Sequence, residues 1–295
     1  MILHTHHGAS QSFWVSCASI FAALVYLRGC LRLGTHDQGN FGKWRVGSFL
    51  LGLFLIWLAI ASPIAALDHE LLTVHMVQHL LLMTLAPPLI WLAAPLKPML
   101  YGLPQAFGNG VSRFVRRPLI QRLSRAITHP ALCWLAAAAA LVGWHVPSLF
   151  ALGMRSELWH TLEQVFFLAS GLLFWWPVIQ AGRRASYGSE WPILLYLFLA
   201  TLPCDILSSF LVFCDRVVYP TYFASARLAG FSALEDQQCA GALMWTCVTL
   251  VYLAAGTIFA ARLLSPDRWH QYRDVKSDPL PDKVAQTIEQ SMGVV

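Results

Sequence analysis

Two histidines four residues apart are the strongest chemical signal in this sequence. His75 and His79 belong to HMVQHLLLM, and residues at this spacing lie on one face of a helix about one turn apart. Their imidazoles can therefore share a metal ion. Met76 and Met83 add thioethers nearby, and imidazole combined with thioether is typical of copper sites.

Later apolar runs carry further candidates. We expect His145, in GWHVP, and His160, in ELWHTLEQ, to complete the ligand set. Glu163 follows His160 by three residues, which is the spacing of a carboxylate that orients an imidazole ligand. The other supporting groups that we predict are Asp205, Asp236 and Gln237.

Cysteines and the N-terminal histidines are weaker candidates. Cys214 and Cys239 flank the last predicted outer loop, where they form a disulfide or offer thiolates to copper, and we favour the disulfide. The start of the chain, MILHTHHG, favours a solvated tail that captures metal weakly through its three histidines. These are His4, His6 and His7.

The composition indicates which kind of structure holds these residues in place. Residues of the types AVILMFWYC make up 57% of the chain and charged residues only 12%, against about 45–50% and 25% in soluble domains. A bilayer crossing needs about 20 mainly apolar residues. The sequence therefore predicts an all-α, polytopic bundle of seven transmembrane helices. The predicted spans are 13–33, 44–66, 70–94, 131–149, 158–179, 191–213 and 237–264.

The basic residues predict the orientation. The first span is read as retained and not as a signal peptide, because Arg28 and Arg32 follow its apolar stretch. With the N-terminus outside and the C-terminus cytoplasmic, all but three of the 20 Lys and Arg residues lie on the inner side, as the positive-inside rule requires. The three exceptions are Arg155, Arg216 and Arg227.

Two segments are not predicted to span the membrane. Residues 95–129 combine apolar residues with arginines and helix-interrupting Pro and Gly, which favours an amphipathic segment on the inner face. Residues 265–295 are polar and form a predicted cytoplasmic tail, so residues 1–264 make up one membrane domain. A nucleic-acid partner is not expected, because the basic residues are scattered between apolar blocks.

With this orientation the candidate ligands lie at one depth. Asp68 and His69 precede the third span, and the fourth to seventh spans bring their polar residues to the same outer end. Ionisable residues inside a bilayer are costly and usually functional. The pattern therefore predicts a metal site in the outer leaflet.

The motifs resemble the CtaG-type cytochrome c oxidase assembly factors of bacterial membranes. The resemblance is carried by SPIAALDHELLTVHMVQHLLLMTLAPPLIWLAAPL at 62–96, WHVP, LWHTLEQ, FWWPVI at 174–179, VVYPTY at 217–222 and DQQCAGALMW. It implies a non-enzymatic factor of the bacterial inner membrane that helps to mature a haem-copper oxidase at the copper-insertion stage. The implied partners are oxidase subunits and a periplasmic copper chaperone. The functional positions it implies are His75, His79, His145, His160, Glu163, Asp236 and Gln237.

Other functions stay open at this point. Two histidines from different spans, such as His79 with His145 or His160, could ligate haem axially. A transporter would use Asp205 as a midplane acid, although the inner halves of the spans lack the polar residues of a through-path. A retinal protein is excluded because every lysine lies outside the predicted spans.

The predicted orientation can be measured with reporter fusions. We expect a fluorescent protein fused to the C-terminus to fluoresce and alkaline phosphatase fused there to be inactive, because that end is cytoplasmic. Phosphatase fused after residue 150, in the predicted outer loop, should be active. The opposite pattern of activities would reverse the topology.

Overall fold

The described part of the chain is helical throughout. The computed structural model describes residues 4–36, 42–183, 191–223, 230 and 232–264, and side chains from residue 11 onward except at 34–36, 105, 106, 109 and 112. Every regular element in these ranges is a helix, which confirms the all-α prediction. The α-helices are α1 (His4–His36), α2 (Lys43–Ile60), α3 (Leu72–Leu80), α4 (Ala86–Leu92), α5 (Leu96–Gly102), α6 (Gln105–Val115), α7 (Pro118–Ile127), α8 (Pro130–Trp144), α9 (Pro147–Arg155), α10 (Glu157–Arg183), α11 (Trp191–Phe213) and α12 (Ala233–Leu263).

The long apolar helices make this a multi-pass membrane protein. Within the described ranges, six stretches are long and apolar enough to cross a bilayer alone. Helices α7 and α8 qualify only as a pair, and they are bent by 59°. The number of candidate spans is therefore six, or seven if the bent pair counts as one, and the side on which each terminus lies remains a prediction. The six stretches are Gln11–Leu33, Lys43–Leu67, Leu72–Leu92, Glu157–Arg183, Trp191–Phe213 and Ala233–Leu263.

The fourth predicted span is wrong at its end. Residues 131–149 were expected to form one helix, but α8 stops at Trp144 and α9 begins at Pro147. Val146 is extended because the residue before a proline is disfavoured in helical conformation. With 15 residues, α8 is about 22 Å long, which is shorter than the roughly 30 Å hydrocarbon core. The break leaves His145 at the end of a helix.

The third span is interrupted in its middle. A π-helical turn, Leu81–Leu85, separates α3 from α4. Pro87 and Pro88 follow in the first turn of α4, and because they lack N–H groups they cannot continue the regular hydrogen-bond ladder to the preceding turn. The wide turn accommodates this break in the hydrogen-bond pattern. Single π-helical turns of this kind are frequent at functional sites.

Helix α10 packs against this wide turn through a glycine. A Cβ built at Gly171 would lie 2.6 Å from the carbonyl oxygen and 2.7 Å from the Cα of Met83. Only a residue without a side chain permits this approach, because both contacts are to backbone atoms. The contact fixes the height of α10 beside α3, and both helices carry predicted ligands.

The start of α12 is defined by a capping box. The Ser232 hydroxyl accepts a hydrogen bond from the Glu235 N–H at 3.2 Å, and the Glu235 carboxylate accepts one from the Ser232 N–H at 2.8 Å. Such reciprocal caps satisfy N–H groups that the first helical turn leaves unpaired. The cap places Asp236 in the first turn of α12 and Gln237 directly after it, and both are buried.

The predicted amphipathic segment forms three short helices, α5 to α7. On α7 the apolar Leu119, Leu123 and Ile127 follow at four-residue intervals, and they are exposed together with Arg122 and Arg125. Residues at this spacing share one helix face. The helix therefore presents an apolar stripe beside its arginines, and its location on the inner face remains a prediction.

Replacing Gly171 with alanine should destabilise the bundle. The new methyl group meets backbone that cannot rotate away, so we expect a loss of about 1–3 kcal/mol in the free energy of unfolding. Thermal unfolding of the purified protein in detergent measures the change. Gly256→Ala is the matched control, because a Cβ at Gly256 has no neighbour within 4 Å. Equal stability of the two variants would contradict the close packing.

Candidate metal centre

The candidate ligands converge at one end of the bundle. There α3 and α10 begin and α8 ends, and the segments 61–71 and 214–223 lie against this end of the bundle. Hydrogen bonds between distant parts of the chain hold these pieces together, such as Tyr222 Oη to the Asp68 carbonyl at 2.7 Å. Parts of the chain that are distant in sequence therefore supply a single site.

The centre of the site is a buried triad, which we define as His75, His79 and Glu163. Glu163 Oε1 lies 3.2 Å from His79 Nε2 and 3.4 Å from His75 Nε2. The two imidazoles project from the same side of α3, with ring centroids 4.4 Å apart. One ligand atom from each of the three residues falls within 4.8 Å of the others, so the triad could hold a metal ion.

Glu163 has a different partner from the one expected. The sequence pairs it with His160, three residues earlier, but its carboxylate faces the histidines of α3. The partners differ because Glu163 lies about one turn further along α10 than His160. At that level α10 faces α3, so the carboxylate meets His75 and His79. The carboxylate thus belongs to the possible ligand set itself.

A second group of ligands lies beside the triad. We call Asp68, His69 and His160 the loop-side cluster, and their ligand atoms also fall within 4.8 Å of one another. Asp68 Oδ2 is 3.4 Å from His160 Nε2, and Oδ1 is 3.8 Å from His69 Nε2. The sequence places Asp68 and His69 at the same outer end as the candidate ligands but does not name them as ligands, although the DHE shortly before the histidine motif was the available signal.

His145 and Met76 form a pair on the other side of the triad. His145 Nε2 lies 3.2 Å from Met76 Sδ, and its Nδ1 is 2.6 Å from the Leu141 carbonyl oxygen, which fixes the ring. The His79 and His145 ring centroids are 6.0 Å apart. This pair opens onto a cavity rich in soft donor atoms. Its lining includes Met76, His79, Met83, His145, Cys204 and Met244.

Unpaired buried polar atoms are concentrated at the triad. Among the described residues, both ring nitrogens of His75 and His79, both carboxylate oxygens of Glu163 and His160 Nε2 are buried without an aligned hydrogen bond. Leaving such an atom unpaired costs about 1–3 kcal/mol. A metal ion would satisfy several of these atoms at once. The residues present therefore fit a metal by the chemistry of their donor atoms.

Asp236 holds α3 in place without touching its histidines. Its carboxylate accepts hydrogen bonds from Leu72 N at 2.7 Å and from Thr73 N at 3.1 Å, and Thr73 Oγ1 donates to it at 2.6 Å. The first N–H groups of a helix have no partner within the helix. Asp236 thus caps α3 from another helix and supports the triad through the backbone.

Gln237 secures the neighbouring segment. Its amide oxygen accepts from Val218 N at 2.7 Å, and its amide nitrogen donates to the Arg216 carbonyl at 3.1 Å. The segment held in this way carries Tyr219, whose hydroxyl donates to the His145 carbonyl at 2.9 Å. Burial raises the pKa of Tyr219, so the phenol remains a donor. The supporting role of Gln237 is thus to fix the end of α8.

Several predicted residues lie elsewhere. Asp205 is half-buried on α11, and it is its neighbour Cys204 that lines the cavity. The disulfide expected between Cys214 and Cys239 is absent, and both are free thiols. Cys239 is exposed because it lies about 200° around α12 from the buried Gln237. The side chains of His4, His6 and His7 lie outside the described residues.

The fold and the site define a multi-pass helical membrane protein with a buried histidine–carboxylate cluster. The sequence model of the cytochrome c oxidase caa3 assembly factors (Caa3_CtaG) matches residues 24–267. The chain belongs to this family, which confirms the resemblance seen in its motifs.

Relatives of the chain occur in mycobacteria. Uncharacterized proteins of Mycobacterium bovis and Mycobacterium tuberculosis are each 25% identical over 284 residues, covering 90% of this chain and 42% of theirs. One from Mycobacterium leprae is 23% identical over 248 residues, covering 80% of this chain and 36% of its own. The chain thus spans about two fifths of the length of these relatives. No solved structure matches it.

Removing the carboxylate of Asp236 should loosen α3. In Asp236→Ala two backbone N–H groups at the start of α3 lose their acceptor, so we expect about 1–3 kcal/mol less stability and weaker metal binding. Thermal unfolding and a metal titration measure the two effects. The control is Glu70→Ala, which removes an exposed carboxylate from the loop before α3. If both variants behaved alike, Asp236 would not be the cap that supports the site.

Proposed function

We propose that this protein binds a copper ion at the buried triad and passes it to a subunit of a haem-copper oxidase during assembly of that enzyme. The copper ion is cargo in this proposal. His75 and His79 supply imidazole nitrogens and Glu163 supplies a carboxylate oxygen, while His145 and Met76 offer the next ligands.

The observation that carries the proposal is the set of unpaired atoms. Six nitrogen and oxygen atoms of the triad are buried without an aligned hydrogen bond, although Glu163 Oε1 lies within 3.4 Å of both Nε2 atoms. Inside an apolar bundle, such groups are expected to pair with one another or to coordinate a metal. A coordinated ion would satisfy one of these atoms in each of the three residues, and one ligand atom from each residue does lie within 4.8 Å of the others.

The choice of copper rests on the donor atoms. At nitrogen and oxygen sites the Irving–Williams order places Cu(II) above the other divalent first-row metals. The adjoining His145 and Met76 pair adds a thioether, a soft ligand that suits copper and not magnesium or calcium. Family membership supports the same choice, because the family assembles an oxidase.

Delivery requires a site that can release its ion. Three protein ligands leave a coordination position open, whereas four close a structural site. The His79 and His145 ring centroids are 6.0 Å apart, so the imidazole of His145 is close enough to replace a ligand of the triad. The proposed acceptor is an oxidase subunit docked at this end of the bundle, and a periplasmic copper chaperone is the proposed source of the ion.

Replacing His75 and His79 together with alanine should abolish copper binding, because two of the three ligands are lost.

Glu163→Gln keeps the side-chain shape but removes the charge, so we expect affinity for copper to fall by about tenfold or more. Metal analysis after copper loading, with an absorption spectrum of the same sample, measures both effects. Oxidase activity of host membranes should fall in parallel.

His129→Ala is the matched control, since His129 is an exposed histidine at the opposite end of α8 from His145. Unchanged copper content in the double variant would overturn the ligand assignment. A Soret band that disappears in the double variant would instead support the haem alternative, in which two histidines ligate haem axially.

A further inference from the structure

The histidines of the loop-side cluster and of the triad, followed by His145, form a continuous series from the surface inward. Neighbouring ring centroids are 5.2 Å apart from His69 to His160, 5.6 Å from His160 to His75, 4.4 Å from His75 to His79 and 6.0 Å from His79 to His145. The series begins at an exposed residue, because the side chain of His69 is 52% accessible, while His75 is fully buried.

These separations are short enough for metal exchange. An imidazole binds a first-row metal ion through a nitrogen at about 2 Å, so two imidazoles on one ion have ring centroids no more than about 6 Å apart. Each neighbouring pair in the series meets this limit. The distances therefore permit an ion to keep one ligand while it exchanges the other, provided that the ring nitrogens point toward it.

The surface end of the series is a prepared ligand set. Asp68 is held by Tyr222, which donates to its carbonyl, and by Gln78 Nε2, which lies 3.3 Å from its Oδ2. Its two carboxylate oxygens face different histidines, Oδ1 toward His69 and Oδ2 toward His160. The carboxylate is thus fixed between one exposed and one buried imidazole.

His160 connects the two clusters. Its Nε2 is buried without an aligned hydrogen bond, and its ring stacks on that of His75 with an interplanar angle of 18°. A residue that served only to pair with Asp68 would point Nε2 along a hydrogen bond. The unpaired nitrogen, which lies 3.4 Å from Asp68 Oδ2 on a ring that neighbours His75, is instead placed to bind a passing cation.

We infer that the loop-side cluster of Asp68, His69 and His160 is the receiving site for the metal ion, from which His160 hands the ion to the buried triad. The inference rests on the proposed function, since it names the route to the same site. The ion keeps its charge and oxidation state along this route, and the negative charge that balances it changes from Asp68 to Glu163.

The rate of metal loading tests the inference. The full chain is purified in detergent and mixed rapidly with Cu(II), and quenching of tryptophan fluorescence is followed; Trp144 and Trp159 flank His145 and His160 in the chain. We expect His69→Ala to slow loading by about tenfold or more and to leave the final copper content of the triad unchanged, with His129→Ala as control. Added imidazole should restore the rate of His69→Gly, which a structural role would not do.

The possible results separate this inference from the proposed function. If His69→Ala loads at the rate of the unmodified protein, the receiving site is wrong while the triad assignment stands. If His69→Ala binds no copper at all, His69 is a ligand of the final site, and the relay is also wrong. If the His75 and His79 double variant keeps its full copper content, the proposed function itself fails.

Discussion

The buried carboxylate of Glu163 is the constraint around which this end of the protein is arranged. A charge inside an apolar bundle is tolerated when neighbouring groups compensate it. Among the described residues, the groups facing this carboxylate are imidazoles, at 3.2 and 3.4 Å. Imidazoles compensate a carboxylate either by carrying protons or by sharing a metal ion with it, and neutral imidazoles are metal ligands.

The scaffold places rigid elements around that carboxylate. Asp236 and Gln237 are neighbours near the start of α12, and they hold two different parts of the site, one at the start of α3 and the other at the segment that contacts His145. On the far side Gly171 lets α10 approach the wide turn after α3. Ligands on such fixed backbone stay aligned without a change of fold, which suits a site that binds and releases one small ion.

Much of the architecture could be predicted because hydropathy and spacing are local signals. The apolar runs identify the membrane helices, and the four-residue spacing identifies the shared face of His75 and His79. The break after Trp144 was missed because the sequence is apolar on both sides of Pro147. Hydropathy alone therefore does not reveal that the helix ends before this proline. The fourth predicted span is therefore less regular than the sequence indicates, because α8 ends at Trp144 and is also bent by 59° from α7 at its start.

Long-range contacts were beyond the sequence signals. The i+3 spacing correctly placed Glu163 and His160 on one face of α10. It did not indicate that the two side chains meet different elements. The role of Asp236 as a cap depends on a residue 164 positions away, and Asp68 gains importance only once α10 lies beside it. Cysteine positions were equally uninformative, because proximity in predicted topology does not fix the direction of a side chain.

If His75, His79 and Glu163 together coordinate copper, X-ray absorption by protein loaded with one equivalent of copper will identify their donor atoms around the ion. We expect nitrogen and oxygen ligands at about 2 Å with the outer-shell scattering of imidazole rings, both lost when His75 and His79 are replaced. A first shell made of sulfur at about 2.3 Å, or a spectrum unchanged by the double replacement, would contradict it.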